Sequence, residues 1–341
     1  MTMRLPTQSP FQFTPDLRIC RLLNGMWQVS GAHGRIDSQA AVASMFAYHD
    51  AGFTTWDLAD HYGPAEDFIG AFRRQLLAAQ EETALANVQA FTKWVPQPGP
   101  MTRQIVADNI AISLRRMGVD MLDLLQFHWW DYADSRYLDA LTHLAHLRDE
   151  DKIRHLALTN FDTEHLQRIV DHGISVVSNQ VQYSLIDLRP EVRMARFCQE
   201  QGIHLLTYGT CGGGLFSEAY LGQPEPRGAA LNTASLRKYK HMVDAWGGWG
   251  LFQELLQTLK QIADKHGVSI ANVAVRSILD RPAVAGVIVG VRLGVSEHRA
   301  DNARVFDVSL DAEDNACIQT ILAKSRDLYR LIGDCGDEYR R

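Results

Sequence analysis

The sequence lacks the features that tie a protein to a membrane, to nucleic acid or to an oxidising compartment. No uninterrupted apolar run reaches the ~18 residues that a membrane-spanning helix needs. The formal net charge of −6 gives no basic excess for nucleic-acid binding. The five cysteines include no C-x-x-C pair, which favours free thiols over a disulfide framework. Residues 1–13 hold one arginine and no apolar stretch, which is not typical of a signal peptide. We therefore expect a cytoplasmic protein without a membrane or nucleic-acid partner.

The chain also lacks the glycine loop of a Rossmann dinucleotide-binding domain. No G-x-G-x-x-G run follows a predicted strand. The run GTCGGG at 209–214 has a different spacing and follows the seventh predicted strand rather than the first. No metal site is predicted. A nucleotide cofactor would therefore have to be held by another architecture.

Short apolar runs alternate with amphipathic stretches along most of the chain. The predicted strands are Leu22–Val29, Thr54–Leu58, Val88–Thr92, Leu122–Phe127, His155–Leu158, Val176–Val181, His204–Tyr208 and Val284–Val289. Several are apolar at successive positions, which is typical of parallel strands covered on both faces. Since helical stretches follow these strands, the pattern predicts an α/β fold, a (β/α)₈ TIM barrel. Residues 1–341 would form a single domain with a barrel core at about 19–310.

The segments between and around the strands complete this prediction. The predicted helices are Ser38–His49, Ala65–Leu77, Thr102–Met117, Ser135–Glu150, Thr163–His172, Glu191–Gln201, Ala234–Val243, Gly250–His266, Ile270–Asp280 and Asp311–Ser325. Residues 1–17 are expected to cap the bottom of the barrel. The glycine- and proline-rich stretch 209–249 is long enough to be a lid or a binding element. The tail, 326–341, either folds over the mouth of the barrel or is disordered.

Four polar residues stand where such a barrel would display them together. Asp57, Lys93 and His128 fall at the ends of predicted strands, and Tyr62 follows Asp57 in the same loop. A tyrosine, whose ordinary pKa is ~10, becomes a useful proton donor when a neighbouring cation lowers that pKa. A lysine in a cleft needs a carboxylate to compensate its charge, and a neutral histidine can donate a hydrogen bond to a substrate oxygen. Singly, each could be an ordinary turn or core residue. Together they can reduce a carbonyl if a cofactor supplies hydride.

These residues belong to a series of motifs that resembles the aldo-keto reductase superfamily. The series comprises D-x-A-x-x-Y-G at 57–63, Lys93, His128, ALTNF at 157–161, SNQVQYS at 178–184 and VIVGVR at 287–292. The motifs come in the family's order and span about residues 19–310. The resemblance implies an extended nicotinamide cofactor across the top of the barrel. It also implies that Tyr62 is the general acid, assisted by Lys93 and Asp57, while His128 orients the carbonyl.

The resemblance extends to the residues that would hold the cofactor. Thr159, Asn160 and Gln180 match the groups at the carboxamide, Tyr208 matches the aromatic that stacks on the nicotinamide, and Met26 and Trp27 would lie beside it. The other predicted contacts are Gly209, Thr210, Gly214, Leu215, Val289, Gly290, Val291, Arg292, Ser296, His298, Asp301 and Asn302. Thr210 stands where the family often has a serine that contacts the pyrophosphate.

The phosphate end of the cofactor is expected within residues 289–302. Ser296 is suited to cap a helix that begins near Glu297, and helix N-termini attract phosphate. Arg292, His298 and Arg299 add positive charge for a 2′-phosphate, Arg292 most strongly because a guanidinium binds phosphate through two N–H groups. This favours NADP, with NAD possible.

The substrate is predicted only by class. Tryptophans 27, 94, 129 and 130 cluster at strand ends, which indicates an apolar or aromatic pocket or a sugar-stacking surface, with at least one of them packing between helix and barrel. The leading hypothesis is NADP-dependent reduction of an aldehyde or ketone. An NAD(P)-dependent dehydrogenase that oxidises a sugar or another alcohol would use the same four residues, and a cofactor-binding regulatory subunit with slow turnover is a third reading. The substrate's identity, the direction of reaction and the oligomeric state stay open.

Overall fold

The structure, a computed structural model, describes residues 5, 6, 9–79 and 82–340. Parts of the predicted cap (1–4, 7 and 8), of the barrel core (80 and 81) and of the tail (341) lie outside the described residues. The strands are β1 (Pro10–Thr14), β2 (Leu17–Cys20), β3 (Leu22–Gly25), β4 (Thr55–Asp57), β5 (Gln89–Trp94), β6 (Leu122–Phe127), β7 (Ile153–Thr159), β8 (Ser178–Gln182), β9 (His204–Tyr208) and β10 (Val284–Gly290). Strands β3 to β10 are parallel and form a closed barrel, in which each lies beside the next and β10 pairs with β3. The predicted (β/α)₈ barrel is confirmed.

Helices surround the barrel. They are α1 (Ser38–Asp50), α2 (Ala65–Ala79), α3 (Arg103–Met117), α4 (Tyr137–Asp149), α5 (Thr163–Asp171), α6 (Met194–Gln201), α7 (Ala234–Trp246), α8 (Gly248–His266), α9 (Ile270–Leu279), α10 (Arg299–Ala303), α11 (Ala312–Leu322) and α12 (Leu328–Ile332). As expected, the Thr102 side chain caps α3, which ends at Gly118 in the left-handed conformation. Among the described residues, no helix is long and apolar enough to cross a membrane.

An antiparallel hairpin, β1 and β2, closes the bottom of the barrel. Phe13, Leu17 and Ile19 of the hairpin are buried in one apolar cluster with Phe91 and Leu124 of the barrel strands. The rings of Phe13 and Phe91 lie 5.9 Å apart. The lower interior of the barrel is therefore apolar and closed, which confirms the predicted cap and leaves the opposite end for polar chemistry.

The first barrel strand is shorter than the sequence suggests. It ends at Gly25, and Met26–Ser30 form a 3₁₀ helix instead of continuing the strand to Val29. Met26 and Val29 are buried in this turn. An apolar run of this length does not distinguish a strand from a buried turn, because both place apolar side chains against the core.

The C-terminal tail folds over the mouth of the barrel. Arg189 is 2 % exposed and donates to Asp334 O (3.0 Å) and to Glu338 Oε2 (2.9 Å) of the tail. Gly336, with φ +85°, lies so close to Asn160 that a Cβ there would be 2.0 Å from the Asn160 carbonyl oxygen. Of the two possibilities left open by the sequence, the folded one is therefore correct.

Candidate active site

The carboxyl ends of β4 and β5 form a buried ion pair at the top of the barrel. Lys93 Nζ donates to both carboxylate oxygens of Asp57 and to the backbone oxygen of Leu58, each at 2.7 Å. Asp57 and Lys93 are each 3 % exposed. The three N–H groups of the ammonium are thus directed at three acceptors, as a buried lysine requires.

Two glutamines extend this pair into a polar layer across the barrel. Gln180 Nε2 donates to Asp57 Oδ1 and to Gln126 Oε1, both at 2.7 Å, and Gln126 Nε2 donates to Asp57 Oδ1 at 3.1 Å. Gln126 was missed at the sequence level. Its signal is a lone polar residue in the apolar run LLQF, two positions before His128 and so on the same face of the strand. Asp57 therefore has a fixed position and three hydrogen-bonded neighbours.

Tyr62 lies against this pair. Its ring centroid is 5.0 Å from Lys93 Nζ, and its ring packs edge-on against Trp27 (5.1 Å) and His61 (4.8 Å). Burial, followed by the Asp57 carboxylate, raises the pKa of Tyr62 well above its ordinary value. The expected lowering by Lys93 is not found, because the ammonium is directed at Asp57 and Leu58 and the pair is close to neutral overall. Tyr62 is therefore a protonated phenol.

His128 presents a different group from the one that the sequence analysis expects. Its Nδ1 lies 3.1 Å from Thr159 O, and a carbonyl only accepts, so Nδ1 carries a hydrogen. Burial lowers the pKa of His128 to about 4, which keeps the ring neutral near pH 7. In a neutral ring with the hydrogen on Nδ1, Nε2 has a lone pair and accepts hydrogen bonds. Nε2 is buried and has no partner among the described residues.

Arg116, at the end of α3, holds the loop that carries Tyr62. Its guanidinium donates to the backbone oxygens of Asp60 (3.0 Å) and Gly63 (2.5 Å), which flank Tyr62 on both sides. It also pairs with Asp67 (3.0 Å) and with the fully buried Glu66 (3.1 Å). No motif marks Arg116 in the sequence, since the contact depends on how α2 and α3 pack.

The next strands bring together the groups predicted to hold a nicotinamide. Asn160 follows β7 with φ +59°, a left-handed conformation that asparagine tolerates better than most residues. Its backbone N–H donates to Gln180 O (2.8 Å), and its side-chain oxygen accepts from the Tyr208 hydroxyl (2.7 Å). Thr159 is buried and donates to Gln180 O at 3.3 Å. Thr159, Asn160, Gln180 and Tyr208 therefore form one connected group at the ends of β7, β8 and β9.

The proposed phosphate end is organised differently from the prediction. Helix α10 begins at Arg299 with His298 as its N-cap, so the predicted cap at Ser296 is wrong. The physical reason is that the Glu297 carboxylate accepts a hydrogen bond from the backbone N–H of Arg299, the first residue of the helix. The backbone N–H of Ser296 instead donates to Arg292 O (3.1 Å).

Two other residues predicted for this end are engaged within the protein. Asp301 accepts from the Ser269 hydroxyl (3.0 Å), and the backbone N–H of Asn302 donates to His298 O (2.8 Å).

Arg292 joins three loops at the rim. It donates to His33 O (2.9 Å), and His33 Nε2 lies 2.8 Å from the hydroxyl of Ser235 on α7, in the long stretch after β9. Burial, followed by the guanidinium groups of Arg292 and Arg237, lowers the pKa of His33. Arg292 itself is exposed. A cation is thus presented beside a link that connects the first βα-loop with the predicted lid.

Several predicted contacts have buried side chains. The Thr210 hydroxyl donates to Tyr183 O (2.9 Å). Met26, Thr210, Leu215 and Val291 are buried in the described structure, so only their backbone could contact a cofactor. The other predicted contacts in these loops are not buried; they are Gly209, Gly214, Val289 and Gly290.

The four tryptophans divide into two pairs. Trp94 and Trp129 are 3 % and 0 % exposed and pack around Phe127 at 5.6 and 6.0 Å. Trp27 is partly exposed beside Tyr62, and Trp130 is partly exposed 4.4 Å from His128. Only Trp27 and Trp130 therefore present surface beside the catalytic candidates.

Comparisons with known proteins identify relatives of this chain and its family. A family model described as the aldo/keto reductase family matches residues 21–323. A chloroplastic pyridoxal reductase of Arabidopsis thaliana is 26 % identical over 261 residues, covering 72 % of this chain and 67 % of that protein. An NADH-specific methylglyoxal reductase of Escherichia coli is 20 % identical over 322 residues, covering 88 % of this chain and 94 % of that protein. A thermostable aldo-keto reductase crystallised with the inhibitor epalrestat has a similar fold, with a TM-score of 0.66 and 21 % identity, covering 89 % of this chain and 96 % of that one.

One relative is much longer than the match. Flagellar radial spoke protein 5 of Chlamydomonas reinhardtii is 34 % identical over 261 residues, and the match covers 65 % of this chain but only 49 % of that protein. The family match spans most of the present chain. The chain therefore belongs to the aldo/keto reductase family. It is an NAD(P)H-dependent oxidoreductase of the class that reduces carbonyl groups.

The side chains at the mouth fit such a cofactor. Gln28 Oε1, Ser30 Oγ and His33 Nδ1 are buried polar atoms without a partner among the described residues, and all three lie between the first barrel strand and α1. Gly290 of β10 approaches this segment so closely that a Cβ would be 2.1 Å from Gln28 Nε2. Unpartnered donors and acceptors beside a strand end without a side chain suit a ligand that offers both kinds of group, as a nucleotide does.

Proposed function

We propose that the protein reduces an aldehyde or ketone to an alcohol with NADPH, and that Tyr62 gives the proton. The observation that carries the proposal is the buried Asp57–Lys93 pair directly beside the Tyr62 ring, at the end of the barrel where reactive groups converge. When bound, the reduced nicotinamide supplies the hydride. The protein has to hold the carbonyl near Tyr62 and deliver a proton to its oxygen.

Each catalytic residue has a defined task in this proposal. Tyr62 stays protonated until negative charge develops on the carbonyl oxygen, and it then donates its proton. Asp57 fixes Lys93 through two hydrogen bonds of 2.7 Å, and one N–H of Lys93 has to turn from its present acceptor to stabilise the tyrosinate that remains. His128 Nε2 accepts a hydrogen bond from the new hydroxyl, since its lone pair is open. A positioned general acid contributes roughly 10²–10⁴ in rate.

The preference for NADP rests on Arg292. Its guanidinium is exposed at the rim and uses one N–H on His33 O, so further N–H groups are free to bind a 2′-phosphate. NAD stays an alternative, since one relative is named as NADH-specific. The five free cysteines fit the cytoplasmic location that the sequence predicts.

Alcohol oxidation is the second candidate. The acceptor at His128 Nε2 suits a substrate that arrives with a hydroxyl group rather than a carbonyl. Tyr62 would then take the proton instead of giving it, with the same neighbours.

The cofactor titration that tests the proposal uses tryptophan fluorescence, since Trp27 lies beside Tyr62. The purified protein is titrated with NADPH and NADH, and then assayed with aromatic and aliphatic aldehydes and with the matching alcohols. We expect tighter NADPH binding and oxidation of NADPH by aldehydes. Preferential NADH binding with alcohol turnover would support the dehydrogenase instead. Binding without any turnover would favour the regulatory reading, and binding of neither cofactor would contradict the proposal.

A further inference from the structure

A lysine at the mouth of the barrel carries a positive charge that no carboxylate pairs with. Lys238, on α7, donates to the hydroxyl of Tyr339 in the tail. Its Nζ lies 4.9, 5.5 and 4.7 Å from the ring centroids of Tyr208, Tyr239 and Tyr339. In the described part of the chain, no carboxylate oxygen comes within the 4.0 Å of an ion pair. Glu338, the nearest acid along the tail, pairs with Arg189 instead.

Lys238 is half-buried, and the fully buried lysines among the described residues do have carboxylate partners. Lys93 bonds both oxygens of Asp57, and Lys240 bonds Glu225 and Asp244 at 2.6 Å each. Contacts with aromatic faces are individually weak, and partial burial removes some of the water that would otherwise hydrate the ammonium. Two of the three N–H groups of Lys238 have no acceptor among the described residues. Lys238 is therefore a cation with room for an anionic partner.

The charge persists at neutral pH. Burial lowers the pKa of Lys238, but the nearby oxygens of Tyr339, Tyr239 and Glu338 outweigh burial and leave the pKa raised. The ammonium is therefore a permanent feature of the mouth.

The position of this ammonium connects it to the catalytic residues. The Tyr339 ring lies edge-on to His128 with a centroid distance of 6.1 Å, and its hydroxyl is 3.1 Å from that of Tyr208. One aromatic ring thus separates the imidazole from the ammonium. A small substrate with its carbonyl between Tyr62 and His128 could place a second group at Lys238.

We propose that Lys238 binds a carboxylate or phosphate on the carbonyl substrate, so that the enzyme prefers anionic aldehydes or ketones. The inference rests on the proposed function, because it takes the carbonyl to lie between Tyr62 and His128. It adds the substrate class to that function. The partly exposed rings of Trp27 and Trp130 beside the catalytic residues suit an aromatic body between the two polar ends.

The test compares 4-carboxybenzaldehyde with its methyl ester, a neutral analogue whose electron-withdrawing ester group makes its aldehyde the more reactive of the two. We expect wild type to show a kcat/KM for the acid at least about tenfold above that for the ester, since a charge-assisted hydrogen bond is worth more than a neutral one. Lys238→Met should abolish this ratio, and Lys238→Arg should retain part of it. Lys324→Met is the matched control, because Lys324 is exposed and paired with Glu254 on the outer surface, and it should leave the ratio unchanged. Equal kcat/KM for acid and ester in wild type would overturn the proposal.

Two further measurements separate the possible failures. The dissociation constant for NADPH is measured for Lys238→Met; if cofactor affinity falls and the acid-to-ester ratio does not, the anion bound is a cofactor phosphate and the proposal is wrong. Binding of acid and ester to the complex with the oxidised cofactor, NADP⁺, which cannot reduce them, is measured by tryptophan quenching. If neither aldehyde is reduced, the proposed function fails for such carbonyls, and the binding measurement alone then tests the anion site. Tighter binding of the acid that Lys238→Met abolishes would still support the anion site, and equal binding would overturn it.

Discussion

Removing the charge of Asp57 should destabilise the whole barrel. In Asp57→Asn the side chain keeps its shape, but the Lys93 ammonium stays buried without a counter-charge, and of its three acceptors only Leu58 O and the amide oxygen remain. The Gln126 and Gln180 amides also lose their charged acceptor. Breaking a buried ion pair by removing one partner costs about 3–5 kcal/mol, and we expect a loss of this size in the free energy of unfolding.

A double-mutant cycle separates the ion pair from general damage to the core. Equilibrium urea unfolding, followed by tryptophan fluorescence, is measured for wild type, Asp57→Asn, Lys93→Met and the double variant. The double variant carries no unpaired charge, so it should lose less stability than the two single variants together, with a coupling energy of about 1–3 kcal/mol. A cost below about 1 kcal/mol for Asp57→Asn, or strictly additive effects, would refute the reasoning.

Three further changes test other parts of the account. Arg116→Ala should lower kcat by about tenfold or more with little change in NADPH affinity, because the Asp60 and Gly63 carbonyls lose the donors that position the loop. Added guanidinium should restore part of kcat, whereas it would not rescue a variant whose fold is merely less stable. Burial lowers the pKa of His128 to about 4, against 6.5 in the unfolded chain, so the folded state binds fewer protons between these values. The free energy of unfolding is therefore full above pH 6.5 and falls as the pH drops towards 4. Wild type should lose roughly 3 kcal/mol more than His128→Gln over this range in urea unfolding; parallel losses would contradict the buried neutral ring. Arg292→Ala should weaken NADPH binding by about tenfold and leave NADH nearly unaffected, whereas equal effects on both would remove the 2′-phosphate role.

The fold and the centre of the site follow from local patterns. Successive apolar residues predict parallel strands, and a barrel of such strands presents Asp57, Lys93 and His128 at one end. The turn signals around Thr102 and Gly118 also predict where α3 begins and ends. These features depend on residues close together in the chain, which is why sequence reasoning recovers them.

What sequence reasoning missed depends on contacts between distant segments. Gln126 joins Asp57 only because the register places it opposite Lys93 on the neighbouring strand. Tyr339 reaches Lys238 across a separation of 101 residues. No local pattern contains either contact.

The direction of individual hydrogen bonds was also beyond the sequence. The donor group of His128 is set by the Thr159 carbonyl, and the start of α10 is set by the Glu297 side chain. In both cases one neighbouring atom decides between two conformations or tautomers that the sequence allows equally.

The central claim, that Tyr62 is the proton donor, is tested most directly by single-turnover kinetics of Tyr62→Phe. Oxidation of bound NADPH by an aldehyde is followed in a stopped-flow instrument, with cofactor binding measured on the same preparation. We expect NADPH affinity close to that of wild type and a rate of hydride transfer lower by roughly 10²–10⁴. A Tyr62→Phe variant that binds NADPH and reduces the aldehyde at the wild-type rate would contradict the account.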